Sequence, residues 1–282
     1  MIRQNTGVWV RHAGYLVALG VVAAIATTPA IAQRGGGGGR QPNFNQSFGS
    51  ANDFYTPPDF HGNVPYDGQF TFARIKYRGY LHWSGREGPG WSHDYPDAES
   101  HLMAIMREVT VMHPFQKSGR MEGGVIVGLD EPELFKYPVA YLSEPGGWMP
   151  NDKEILGMRN YLSKGGFVIF DDFDARNDLN NLTVQMARAF PGLRPIDIDN
   201  KHPIFDSFFR IDLKKMDAGY RGNPRWMAYF ENNDPKKRMI AMVNAANDVG
   251  EYWQWSGRGF SAVPSNEAYK LGVNYLVYAL TH

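Results

Sequence analysis

Three acids, Asp171, Asp172 and Asp174, follow the apolar run Phe167-Val168-Ile169-Phe170. A short continuous apolar run reads as a strand buried on both faces. Open parallel sheets bind ligands outside the carboxyl ends of their strands, and carboxylates there can hold a divalent cation or act as a general base. Successive residues of a strand point to opposite faces, so Asp171 and Asp172 can share one site only if the strand has ended at them. The plain alternative is that one acid caps the next element while the others are solvated. His202, in His202-Pro203-Ile204-Phe205, is the second candidate, as acid, base or metal ligand. Its alternative is a loop histidine that satisfies a backbone group while Ile204 and Phe205 enter the core.

Two further loops mix polar and aromatic groups. The loop from Trp83 to Asp94 holds Trp83, Trp91, His93 and Asp94 among glycines. Such a mixture suits sugar or peptide contacts, or else its tryptophans fold back onto the domain. Ser143-Glu144-Pro145-Gly146-Gly147-Trp148 follows another strand, and its glycines could present backbone N–H groups to an anion; it lacks the lysine-serine ending of a P-loop. Glu144 and Trp148 are its candidate ligand contacts. Asn247-Asp248, with Trp253 and Trp255, forms a last polar-aromatic loop whose metal or pocket signal is weak, since Asn-Asp usually makes just a turn. No G-x-S-x-G elbow, H-E-x-x-H helix or EF-hand loop occurs, so serine-hydrolase and zincin chemistry have no motif to rest on.

These loops need a scaffold. Phe70–Tyr77 reads as the first strand, Val125–Val127 as the second, Val139–Leu142 as the third and Phe167–Phe170 as the fourth. Pro96, with Asp97 and Glu99 behind it, opens a helix whose core face is Leu102, Ile105, Met106 and Val109. Asn151 and Glu154 form a capping-box pair for a helix that runs to Lys164 and stops at Gly165. Strand, helix and strand from Val139 to Phe170 make a parallel crossover of ordinary length. A helix is expected from Asp178 to Phe190. Two strands, Trp226–Phe230 and Met239–Val243, flank the turn Glu231–Pro235 and pair antiparallel. A closing helix, Glu267–Leu280, presents Leu271, Asn274, Tyr275 and Tyr278.

The N-terminal end points to export. Arg3 and Arg11 precede and flank a short apolar run from Tyr15 to Ala26, and Ala30-Ile31-Ala32 gives small residues at a cleavage position before Gln33. This is the pattern of a secretory signal peptide over residues 1–32. The run is too short to cross a bilayer, so no membrane span is expected after cleavage. Residues 33–69 read as a Gly/Asn/Pro-rich disordered linker, and residues 70–282 as one α/β domain. Lys+Arg and Asp+Glu are equal at 29 each. Without a basic excess, nucleic acid is not an expected partner. The chain has no cysteine, which removes disulfides, thiolate metal sites and cysteine nucleophiles.

Taken together, Phe72–Tyr77, Tyr137–Leu142, Gly165-Gly166-Phe167-Val168-Ile169-Phe170-Asp171-Asp172, His202–Phe205, Asn247-Asp248 and Leu271–Thr281 resemble the bacterial domain of unknown function 4159. The resemblance runs from about Phe70 to His282. That family is similar to the class I glutamine-amidotransferase-like superfamily, with its trehalose-utilisation-type members. The resemblance implies a flavodoxin-like parallel sheet with helices on both faces. It places the turn that carries the amidotransferase cysteine at Asp171-Asp172, where this chain has acids, so cysteine-dependent amidotransfer is excluded. It also draws attention to His202, because a His-Pro-Ile segment recurs in trehalose-utilisation-type relatives.

The leading expectation is an exported, periplasmic or secreted, non-catalytic domain of the cell envelope that binds a small molecule or an envelope protein. Its site would draw on Trp83, Trp91, His93, Asp94, Glu144, Trp148, Asp171, Asp172 and His202. No cofactor is expected, with a divalent metal as the alternative. The competing readings are a metal- or carboxylate-assisted hydrolase or isomerase on a carbohydrate-like substrate, using Asp172 and His202, and a structural module of a secreted assembly.

Overall fold

Alternation along the strands sends apolar side chains to both faces of one sheet. The computed structural model describes residues 62–63, 65–79, 90–114, 124–174, 176–215 and 223–282. Trp83, the signal-peptide segment and the linker up to residue 61 lie outside the described residues. The strands are β1 (Ala73–Lys76), β2 (Val125–Gly128), β3 (Val139–Ser143), β4 (Phe167–Asp171), β5 (Ile196–Asp197), β6 (Arg225–Phe230) and β7 (Met239–Ala245). They form a seven-stranded sheet in the order β2-β1-β3-β4-β7-β6-β5. The pairs from β2 through β7 are parallel, and β6 runs antiparallel to both β7 and β5. This is an α/β fold of the flavodoxin-like kind, extended at one edge by the antiparallel pair. Chain order runs from β1 outward to β2 and then back to β3 on its other side, which creates the switch point where such sheets open a crevice.

The helices are α1 (Asp97–Val109), α2 (Asp152–Ser163), α3 (Asn177–Ala189), α4 (Val249–Gln254) and α5 (Ala262–Thr281). Residues Val168 and Phe170 of β4 pack with Met158 and Leu162 of α2 and with Leu182 and Met186 of α3. Their neighbours Phe167 and Ile169 pack on the other face with Leu102 and Met106 of α1, Trp253 of α4 and Leu271 and Tyr275 of α5. The period of two thus builds two cores from one strand.

Local signals read from the sequence recur in the structure. The capping box of α2 is complete: Asn151 Oδ1 accepts from Glu154 N at 3.0 Å, and Glu154 Oε2 accepts from Asn151 N at 2.7 Å. Gly165 follows α2 with φ +105°, which favours glycine. Other boundaries differ. In α1, Met103 and Ala98 are buried, whereas Val109 is exposed and Ile105 half-buried, so the buried stripe is rotated from the predicted one. α5 begins at Ala262, with Pro264 in its first turn, where proline is tolerated. The two-residue β5 and the six-residue α4 carry no periodic signal of their own and were not expected.

Candidate functional site

The carboxyl ends of β3, β4 and β7 and the segment before α1 each deliver an acid to one place. His93 and Asp94 come from the turn before α1, Glu144 from the residue after β3, Asp171 and Asp172 from the end of β4, and Asp248 from the turn after β7. Arg74 anchors the first of these. Its Nη1 donates to the carbonyls of Trp91 at 2.9 Å and His93 at 2.7 Å, while Nε is paired with Glu99 of α1. Both charged side chains are buried, so this pair fixes the backbone that carries His93 and Asp94.

Asp171 lies on the α5 face of the sheet. Its Oδ2 accepts from Tyr141 Oη at 2.8 Å and Gly250 N at 2.8 Å, and its Oδ1 accepts from Asn244 Nδ2 at 3.0 Å and Val249 N at 3.2 Å. Tyr275 Oη of α5 donates to Asn244 Oδ1 at 2.9 Å. Asp171 thereby ties β3, β4, β7 and the start of α4 together. Burial raises its carboxyl to about 6, against the hydrogen bond from Tyr141.

Asp172 should alternate to the opposite face, yet it joins the same cluster. Its φ is +64°, so the extended strand ends at Asp171 and the next residue turns left-handed. Asp94, Glu144 and Ala246 also have positive φ, at 62°, 47° and 55°. Each segment that brings an acid of this cluster to the edge turns through the same sparsely populated region.

The cluster proper is His93, Asp94, Asp172 and Asp248, with one ligand atom from each lying within 4.8 Å of all the others. His93 Nδ1 is 2.5 Å from Asp172 Oδ2, 3.7 Å from Asp94 Oδ1 and 3.9 Å from Glu144 Oε1. Ser143 Oγ donates to Asp172 Oδ2 at 3.3 Å. Asp248 caps α4, its Oδ1 accepting from Glu251 N at 2.9 Å. The Asp94 side chain is fully buried, and neither of its carboxylate oxygens has a hydrogen-bond partner among the described residues. Gly250 makes room for it: a Cβ there would stand 2.7 Å from Asp94 Oδ2 and 2.6 Å from Tyr141 Oη.

Charge follows from this geometry. Burial pushes the His93 imidazole down, but its hydrogen bond to Asp172 and the charges of Asp94, Asp172 and Glu144 overcome that and hold it at about 10. Burial raises Asp94 and Asp248 well above the usual carboxylate range; His93 opposes the shift at Asp94, and Asp172 adds to it at both. One imidazolium balances one carboxylate. The remaining buried acids must take up protons or share a further cation.

The sequence candidates divide accordingly. His93, Asp94, Glu144, Asp171 and Asp172 meet at one edge. His202 does not. Its Nδ1 accepts from Ile204 N at 3.2 Å, and its ring lies 5.6 Å from those of Phe230 and Tyr278. Phe230 pairs with Met239, the first residue of β7, so His202 belongs to the amino edge, roughly 16 Å along the strands from the acids. A pairing of Asp172 with His202 is ruled out by that separation; His202 caps a turn while Ile204 and Phe205 fill the core.

Trp91 and Trp148 are 1% and 0% exposed and belong to the core beneath the loops, so neither offers a face to a ligand. Asp174 accepts from Arg176 N at 2.7 Å at the exposed start of α3. The expected anion cradle at Gly146 is filled by an acid, since a Cβ there would meet Asp178 Oδ1 at 2.2 Å. Asp248 carries only a weak metal or pocket signal in the sequence, because Asn-Asp usually makes just a turn. The signal that singled out Asp172, an acid just past an apolar strand, was present there too.

No curated protein matches this chain. The family model described as domain of unknown function DUF4159 matches residues 71–280, which takes in every strand and helix described above except the last residue of α5, and the chain belongs to that family.

Proposed function

We propose that this chain is an exported ligand-binding domain of the cell envelope that holds a positively charged ligand at the carboxyl edge of its sheet. The observation that carries the reading is the convergence of Asp94, Asp172 and Asp248 on one histidine, all three acids buried. Buried carboxylates in excess of their cations recruit positive charge or lose their own. The position agrees, since it lies outside the strand ends of an open sheet. The left-handed residue directly after β4 supports kinship with the class I glutamine-amidotransferase-like superfamily, with an acid in place of the nucleophile. The leader pattern over residues 1–32 supports export.

The test is thermal unfolding of the full chain and of Asp172→Asn with a panel of inorganic and organic cations. A ligand that binds only the folded form raises Tm by mass action. The expected result is a rise for at least one cation in the parent that is lost in Asp172→Asn. No rise with any cation would overturn the reading.

The 2.5 Å contact between His93 and Asp172 favours a second reading, a carboxylate-assisted hydrolase or isomerase on a carbohydrate-like substrate, with His93 in the place first given to His202. Product release from a panel of glycosides by the parent, and none by Asp172→Asn, would put catalysis ahead of binding.

A further inference from the structure

We infer that the ligand of this edge is a single divalent metal ion, held by the imidazole of His93 and one carboxylate oxygen each from Asp94, Asp172 and Asp248. The inference rests on the binding reading above and narrows it from any cation to a metal.

Two independent observations carry it. The first is the geometry: four potential ligand atoms within 4.8 Å of one another, drawn from three separate segments of the chain. Ligands around an ion bound at about 2.1 Å stand about 3.0–4.2 Å apart, so the set takes such an ion once its widest pairs close by roughly 0.6 Å and the short His93–Asp172 hydrogen bond opens in exchange for the metal. The second is Asp94. Its side chain is fully buried and points into the cluster, and both oxygens lack a hydrogen-bond donor among the described residues. An ionised carboxylate in that position is unfavourable unless a cation meets it, and the His93 ring, 3.7 Å away, is already hydrogen-bonded to Asp172. Gly250 presents no side chain against it, and a methyl group there would collide with Asp94 Oδ2.

Donor chemistry narrows the ion. Calcium and magnesium are bound by oxygen alone, and soft ions by thiolates, whereas an imidazole with carboxylates suits manganese, iron or zinc in the divalent state. Three of the four groups are buried; a bare ion fits between them, while a substituted ammonium would have to bring its carbon chain in as well. Positioning groups complete the arrangement. Ser143 donates to Asp172, Arg74 holds the His93 carbonyl, and Glu251 N fixes Asp248.

The experiment is isothermal titration of the chelator-stripped full chain with Mn2+, Zn2+, Ca2+ and Mg2+, beside His93→Ala, Asp94→Asn, Asp248→Asn and the surface control Asp197→Asn. The expected result is one Mn2+ or Zn2+ per chain. The three ligand variants should weaken binding by more than about a hundred-fold, beyond what residues that merely orient ligands achieve, and Asp197→Asn should leave it unchanged. Electron-spin-echo spectra of the Mn2+-loaded parent should show one imidazole nitrogen coupled to the ion, a readout that holds even where a variant fails to fold. Absence of that nitrogen, equal binding by the ligand variants, or no divalent ion bound at up to about 1 mM would each overturn the inference. If spermidine or guanidinium still raises Tm in the parent and not in Asp172→Asn, the metal falls and the binding reading stands. If neither metal nor organic cation binds, both fall.

Discussion

His93 and His202 are the same residue type driven in opposite directions by their neighbours. Acids on three sides hold His93 in its charged form. Burial among rings pushes His202 below its ordinary 6.5; His282 adds to the shift and Asp199 opposes it. The folded state therefore binds the His202 proton more weakly than the unfolded chain does. Stability from His202 is present above 6.5 and is lost as pH falls through the lowered folded value. Acidification from about pH 7.5 to 5 should thus lower Tm further in the parent than in His202→Gln. Thermal melts of the two proteins across that range check this, and curves that stay parallel would sink it. His202 was a reasonable site candidate because its residue type fits the chemistry. Its real role depends on Phe230 and Tyr278, which no local pattern places beside it.

Helix α2 separates what is local from what is not. Its start was legible because Asn151 and Glu154 act on backbone groups three residues apart. Gly157 in its middle was not. On an exposed helix, replacing glycine with alanine stabilises by about 1 kcal/mol. Here a Cβ would stand 1.8 Å from the Leu129 carbonyl oxygen after β2, so the helix rests against backbone. Gly157→Ala should therefore destabilise the protein by about 1–3 kcal/mol, as overpacking does, measured by urea denaturation. A stabilised variant would mean that α2 can withdraw from the sheet. The left-handed turn at Asp172 is of the same kind. A strand's alternation says where Asp172 would point if the strand continued, and the pairing of β4 with β3 ends at Asp171.

At the scale of the whole molecule, the sheet places the strand ends in fixed relation to one another. His93 and Asp172 are 79 residues apart in sequence and in contact in space, so the cluster exists only when β3, β4 and β7 are in register. The export reading lives at this scale too. Protein recovered from the periplasm of a bacterial expression host should begin at Gln33, as cleavage after Ala32 leaves it; N-terminal sequencing that finds Met1 there would remove the export reading. No helix among the described residues is long and apolar enough to cross a membrane.

By itself the sequence determined the types of the strands and helices other than β5 and α4, the capping of α2, the α/β class, the antiparallel β6–β7 pair and the absence of cysteine chemistry. These depend on residue identity, periodicity and neighbours a few positions away. It also pointed to the edge after β4 as the place where acids gather. Tertiary structure decided which histidine meets them, that Asp248 joins them, that Trp91 and Trp148 turn inward, and that Asp171 and Asp172 serve one side of the molecule. Those facts depend on strand order and on a left-handed turn, because long-range packing selects one partner among many of the same chemical type.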